Sequence, residues 1–241
     1  TVREIQPRFD WKIRKEWISN DLPWPPEGKE LIVEFRAPEI LPGEAERQGN
    51  QQFPKQGEQV LSADIPSFLR DVVVKVHYEI YDGLPLISKW ITVENNSDRG
   101  LVLDSYISEI LAVVEGESSV EGEAVWELPN LHVETDYAFS GMSNRKANQA
   151  AVHWKTDSTY TSQVNYALKT PCLLHVHPPF GPDVDILPGE TFESFRAWEL
   201  FFDSYDKERK GLSTRKMYRT IAPWITENPV LMHVRQADPK S

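Results

Sequence analysis

Two histidines separated by one residue, His175 and His177, form the sharpest local constellation in this 241-residue chain. Side chains two apart on a strand point to the same face, so the two imidazoles could share a metal ion or handle a proton. A third ligand is lacking nearby. Pro178-Pro179-Phe180-Gly181 ends the segment at once, and the carboxylate expected a few residues on in a metal site is not in place within five residues of His177. A lone His-x-His is a weak motif, so the expected reading is a structural or surface pair with neither metal nor cofactor.

Carboxylates are the other source of acid–base chemistry. Glu79, Glu94, Glu109, Asp185, Glu190 and Glu193 fall in or beside strand-like segments, yet nothing singles out a pair from the 37 acidic residues. Solvent exposure is the ordinary placement of such side chains. Eight tryptophans offer flat rings that could receive the apolar face of a ligand. Trp90 alternates with Ser88 and Thr92, so its face is mixed in polarity, and core packing is the commoner use of such a ring.

A formal net charge of −11, with 26 basic residues, argues against nucleic acid and anionic membrane surfaces as partners unless a basic patch is concentrated somewhere. The densest basic run, Lys207 to Arg219, also contains Glu208 and reads as the solvated face of a helix. One cysteine, Cys172, excludes an intrachain disulfide and a Cys-rich zinc site, and its apolar neighbours suggest an inert buried thiol. No stretch approaches the ~20 apolar residues of a membrane-spanning helix. The chain opens on Thr1 without an initiator methionine, so the lack of a leader says nothing about compartment.

The elements that must position these groups read mostly as strands. From Asp71 to Glu94, Val72, Val74, Val76, Tyr78 and Ile80 alternate with more polar neighbours, which predicts a strand with one apolar face. Asp82-Gly83 supplies positive φ for a hairpin turn, and Leu84 to Glu94 returns. After Asn95-Asn96-Ser97-Asp98, Leu101 to Val114 is expected to add a third strand to a meander. Further strands are predicted at Glu30–Arg36, Glu123–Glu127, Leu131–Phe139, Ala150–Trp154, Tyr160–Leu168, Leu173–Val176 and Thr191–Phe202. Many strands with almost no helical periodicity mean a sandwich or barrel. Ala37 to Gly57, rich in Pro, Gly, Glu and Gln, reads as a long surface loop.

The pattern changes after Phe202. Asp203 or Ser204 could cap a helix over Tyr205 to Ile221, with Leu212, Met217, Tyr218 and Ile221 at helical spacing. Ala222-Pro223-Trp224 stops it. Val230 to Val234 then reads as one buried strand, and Ala237-Asp238-Pro239 announces a second helix. A lone strand followed by a helix start is the opening of a β/α unit. The expected organisation is a sandwich domain over residues 1–203, a linker helix and Pro-rich exit over 204–229, and the beginning of a second domain over 230–241.

The segment Val73 to Trp90, reading VVKVHYEIYDGLPLISKW, resembles the N-terminal super-sandwich of α-galactosidase-type glycoside hydrolases. Pro188-Gly189-Glu190-Thr191-Phe192-Glu193-Ser194-Phe195 is similar to that family's "PGExFxSFR" strand. Tyr218 to Trp224, with Glu227-Asn228-Pro229, is similar to the linker that enters its catalytic barrel. The likeness covers the chain from about Glu30 onward, weakly before Asp71. It implies a mainly β, antiparallel super-sandwich of the galactose mutarotase-like type with a C-terminal linker helix, followed by a (β/α)8 barrel that performs hydrolysis.

In that family the catalytic aspartates lie on barrel strands beyond the linker, so no catalytic role passes to any residue here. The implied partners are the chain's own barrel and a carbohydrate substrate, with homo-oligomer contacts common in the family; an extracytoplasmic site would suit a glycan degrader. Substrate-rim or sugar-binding candidates are Trp90, Tyr81, His77, His175 and His177. Trp224, Glu227 and Asn228 are the candidates for the domain interface. Two rivals stand beside this reading: a free-standing carbohydrate-binding module using Trp90, Tyr81 and His77, and a mutarotase-like epimerase pairing a histidine acid with Glu190 or Glu193 as base.

Overall fold

The computed structural model describes residues 1–8, 23–37, 66–113, 128–137, 148–161 and 165–223. Twelve strands are described: β1 Val2–Glu4, β2 Gly28–Arg36, β3 Val72–Tyr81, β4 Leu86–Asn95, β5 Leu101–Ser105, β6 Glu109–Ala112, β7 Leu131–Thr135, β8 Val152–Thr156, β9 Pro171–Val176, β10 Pro182–Ile186, β11 Thr191–Glu193 and β12 Ala197–Phe201. One long helix, α1, spans Lys207–Ile221. The fold is mainly β and antiparallel with a C-terminal helix, as the strand count predicted.

A seven-stranded sheet carries the order β1-β2-β3-β4-β12-β7, with β11 also pairing to β4. Beside it lie a three-stranded sheet, β6-β9-β8, and a two-stranded one, β10-β5. Leu174 and Val176 of β9 pack with Ala197 of β12, surrounded by Leu131, Val133, Val152, Trp154 and Phe195. This cluster joins the three-stranded sheet to the inner face of the large one. On the outer face a second cluster of Ile5, Tyr81, Leu84, Leu86, Leu200 and Met217 seats α1, with Trp198, Phe202, Tyr218 and Ile221 packed around it.

The β3–β4 hairpin forms where expected, with Gly83 at φ 68° after Asp82. That left-handed conformation is cheap only without a Cβ. Gly28 has a different reason. A Cβ there would stand 2.1 Å from the Ile80 carbonyl oxygen, so only glycine lets β2 pair with the end of β3.

Several expectations are corrected. The apolar face of β3 is not the buried one: Val73, His77, Glu79 and Tyr81 are buried, whereas Ile80 is 57% exposed. The polar face can be covered because its charges find partners within the sheet. Leu101–Val114 is not one strand of a meander. It divides into β5, which pairs with β10, and β6, which pairs with β9, because Ser108 between them donates both its backbone N–H and its hydroxyl to Val176 O. The stretch predicted as a strand to Leu168 is a turn over residues 165–168, where the Asn165 side-chain oxygen accepts from Thr170 N. Asp206, not Asp203 or Ser204, caps α1 by accepting from Arg209 N at 2.9 Å. Leu212, expected at helical spacing with the core residues, is exposed on that helix. The expected strand Glu123–Glu127 and the segments after residue 223 lie outside the described residues.

Candidate functional site

The predicted strand Thr191–Phe202 is broken, and the break builds the outer face. Glu193 pairs with Thr92 and Ala197 with Lys89, so Trp90 and Ile91 of β4 oppose three residues, Ser194, Phe195 and Arg196. This is a one-residue β-bulge. Ser194 pins it: its backbone N–H donates to Ile91 O, and its hydroxyl accepts from Ile91 N, each at 2.9 Å. The extra residue sends Phe195 into the inner cluster and turns Arg196 onto the outer face.

There Arg196 completes a polar layer running across four strands. Its Nη1 donates to Glu79 Oε2 at 2.8 Å, and the same oxygen accepts from the Tyr81 hydroxyl at 2.6 Å and from the Ser88 hydroxyl at 3.0 Å. The guanidinium carbon sits 3.5 Å from the centre of the Trp90 ring. On the opposite side of that ring the His77 imidazole stacks at 4.6 Å with an 11° tilt. His77 in turn places Nδ1 2.9 Å from Glu30 Oε1 and Nε2 3.0 Å from the Thr92 hydroxyl, while Arg3 Nε donates to Glu30 Oε2 at 2.6 Å.

Burial works against an ionised Glu30, but the hydrogen bonds from Arg3 and His77 outweigh it and hold its carboxyl below the usual range. Tyr81 is pushed the other way, first by desolvation and then by the Glu79 charge, so its phenol stays protonated and keeps donating.

The structure therefore gathers three of the predicted residues, His77, Tyr81 and Trp90, on one face, as their register requires. All three are buried, and both sides of the Trp90 indole are occupied by His77 and Arg196. Arg196 was not singled out from sequence, since only the bulge brings it here. Beside this layer lies a cavity of about 240 Å³ whose walls include Ile5, Trp24, Tyr81, Arg196, Trp198 and Ile221. Arg8 and Asp136 close one side of it, joined by a 2.5 Å ion pair, with Asp136 also accepting from Arg196 N.

His175 and His177 lie elsewhere, on the three-stranded sheet and just past its end. His153 of β8 pairs directly with His175 and stacks on His177 with centroids 4.4 Å apart, a third histidine that sequence spacing does not reveal. His175 Nδ1 is 3.2 Å from Lys155 Nζ, and His177 Nδ1 donates to Pro178 O. Desolvation and then the neighbouring cations and imidazoles hold His153 and His175 below the ordinary histidine range. No group of three His, Cys, Asp or Glu among the described residues could hold a metal ion. Trp224, Glu227 and Asn228 lie outside the described residues.

One further carboxyl pair sits inside the sandwich. Glu109 of β6 and Glu199 of β12 meet Lys89 of β4, which donates to Glu109 at 2.8 Å. Desolvation, and then Glu109, raise the Glu199 carboxyl to about 9. It is protonated at neutral pH and shares its proton with its neighbour.

No family model matches this sequence, and no curated protein matches it. Among solved structures, a "putative aldose 1-epimerase" from Klebsiella pneumoniae subsp. pneumoniae MGH 78578 is similar at 10% identity with a TM-score of 0.34, over 82% of this chain and 56% of that one. The matched part thus spans little more than half the length of that protein. A likeness of this degree assigns neither a site nor an activity, and the conclusion that stands is a mainly β, antiparallel protein closed by one C-terminal helix.

Proposed function

We propose that the chain is the β-sandwich accessory domain of a glycoside hydrolase of the α-galactosidase type, which supports a catalytic barrel and shapes the rim of its substrate site. The observation that carries this reading is convergence. The three segments that resemble the family meet on one face: the β3–β4 hairpin supplies His77, Glu79 and Trp90, the Pro188–Phe195 segment leads into the bulge that delivers Arg196, and Tyr218 of the linker-like segment packs on the same side. In that arrangement Glu79 and Glu30 are each held by a guanidinium, which suits a support better than an acid–base catalyst. Helix α1 would be the linker, seated by Met217 and Tyr218 and pointing the chain toward the barrel.

The epimerase rival needs a histidine and a glutamate facing one ligand. His175 lies on β9 in the three-stranded sheet, whereas Glu190 precedes β11 of the large sheet and accepts from Leu187 N in its own turn. Reading the coding sequence past Ser241 tests the proposal. Continuation into alternating buried strands and helices with aspartates at strand ends supports it, and a stop codon directly after that serine overturns it.

A further inference from the structure

Three imidazoles and one ammonium crowd the face of the three-stranded sheet that is turned away from the inner cluster. His153 of β8 lies directly across from His175 of β9, and its ring stacks on that of His177 with centroids 4.4 Å apart. Lys155 on the same strand brings Nζ to 3.2 Å from His175 Nδ1. Two other histidines have a carboxylate beside them, His77 with Glu30 at 2.9 Å and His132 with Glu134 at 2.8 Å. Among the described residues these three have none. The neighbouring elements add no charge to this face: β6 sets Ile110 opposite His175 and spends Glu109 on Lys89, and His132 and Glu134 of β7 bond to each other. Tyr106, which shares a hollow with His177, has a phenol pushed up to about 12 and stays neutral.

A proton added to this group meets two obstacles. Nε2 of His153 is buried without a hydrogen-bond partner among the described residues, so an N–H formed there would face neither an acceptor nor water. Nδ1 of His175 faces the Lys155 ammonium, so a second positive charge there would be in contact with the first. The strain falls on β8. It is the edge strand of its sheet, its pairing with β9 is irregular at Lys155 and Thr156, and none of its five side chains is fully buried. Edge segments of this kind open locally before the rest of a fold.

We propose that β8 is an acid-released strand, which separates from β9 when His153 and His175 take up protons beside Lys155 and His177. The sign follows from the two states. Desolvation and the neighbouring cations hold both imidazoles of the closed strand below the ordinary range, whereas a histidine on an opened strand titrates near about 6.5. The opened strand therefore binds protons that the closed one refuses. Closure is fully favoured above about pH 7 and is lost as pH falls through the lowered values. The inference rests on this cluster alone and does not require the accessory-domain reading.

Amide hydrogen exchange of the chain at about pH 7.5 and about pH 5.2, expressed as protection factors, tests it, with β3 and β4 as the internal reference. That reference matters because the raised carboxyl of Glu199 gives the fold as a whole the opposite slope. Asp157, in the turn after β8, has its carboxyl lowered by the hydrogen bonds from Thr159 and stays ionised at both values. Protection over residues 152–156 should fall about 5-fold or more relative to β3 and β4 on acidification. Lys155→Glu, at an exposed position, replaces the repelling cation by a carboxylate and should cut that loss to less than half. His153→Phe, which keeps a flat ring against His177 and removes one titrating group, should also reduce it. An acid loss at β8 no greater than that of β3 and β4 overturns the proposal, and so does an undiminished loss in Lys155→Glu.

Discussion

Glu79 and Arg196 lie 117 residues apart in sequence and 2.8 Å apart in space, joined where a β-bulge turns the guanidinium onto the outer face of the large sheet. Both are almost fully buried, so neither charge can fall back on water if the other is removed. Arg196→Met should therefore cost about 3–5 kcal/mol of stability, the usual penalty of an uncompensated buried charge. Replacing both, as Glu79→Leu with Arg196→Met, should recover much of that loss. Urea denaturation of the two variants measures the difference, and equal losses would show that the pair does not act as a unit.

Glu199 makes stability fall as pH rises. Its folded carboxyl is raised to about 9, while an unfolded glutamate titrates near 4.3. Between those values the folded state holds a proton that the unfolded chain has released, so stability is highest at the acid end of the window and is lost on approach to pH 9. Glu199→Gln, which still donates toward Glu109, should stabilise the protein by about 1–3 kcal/mol at pH 7 and flatten this slope. Melting temperatures of parent and variant from pH 5 to 9 decide the point. A parallel pair of curves would mean that Glu199 is ionised in the fold.

Met217 is the anchor of α1, fully buried against Tyr81, Leu86 and Leu200. Truncation to alanine should cost about 2–5 kcal/mol through the cavity left behind. The effect should concentrate at the helix. Amide exchange over residues 207–221 should accelerate more than over β9, and uniform acceleration would show that α1 unfolds only with the whole domain.

At the turn end of the β3–β4 hairpin, where Gly28 pairs with Tyr81, Gly28→Ala would drive a methyl group to 2.1 Å from the Ile80 carbonyl oxygen. The β2–β3 ladder must shift to admit it, and a φ of +155° is itself strained for an L side chain, so a loss of more than about 2 kcal/mol is expected rather than the gain of up to ~1 kcal/mol that Gly→Ala brings where the φ suits alanine. Chemical denaturation of this variant reports which occurs.

Local features were legible in the sequence because their causes are local. Asp82-Gly83 between two period-two runs gave the hairpin, and apolar residues at helical spacing before Pro223 marked α1, although Leu212 faces solvent rather than the core. The burial of β3 was not legible. Alternation marks two faces but does not say which is covered, and here His77 and Glu79 are buried because Glu30, Thr92 and Arg196 satisfy them from other strands. The histidine pair had the same blind spot. His153 joins it through strand pairing across more than twenty residues, which spacing alone does not show. The bulge at Ser194–Arg196 has no signature beyond a serine in a strand, yet it is what places Arg196.

Polarimetry of freshly dissolved α-D-galactose with the purified chain is the most direct trial of the view that the outer face supports and does not catalyse. With Glu79 and Glu30 spent on Arg196 and Arg3, ring opening should run at the rate of buffer alone. A clear acceleration that disappears in Glu79→Gln or His175→Ala would contradict the account and make this face, or the histidine cluster, a catalytic centre.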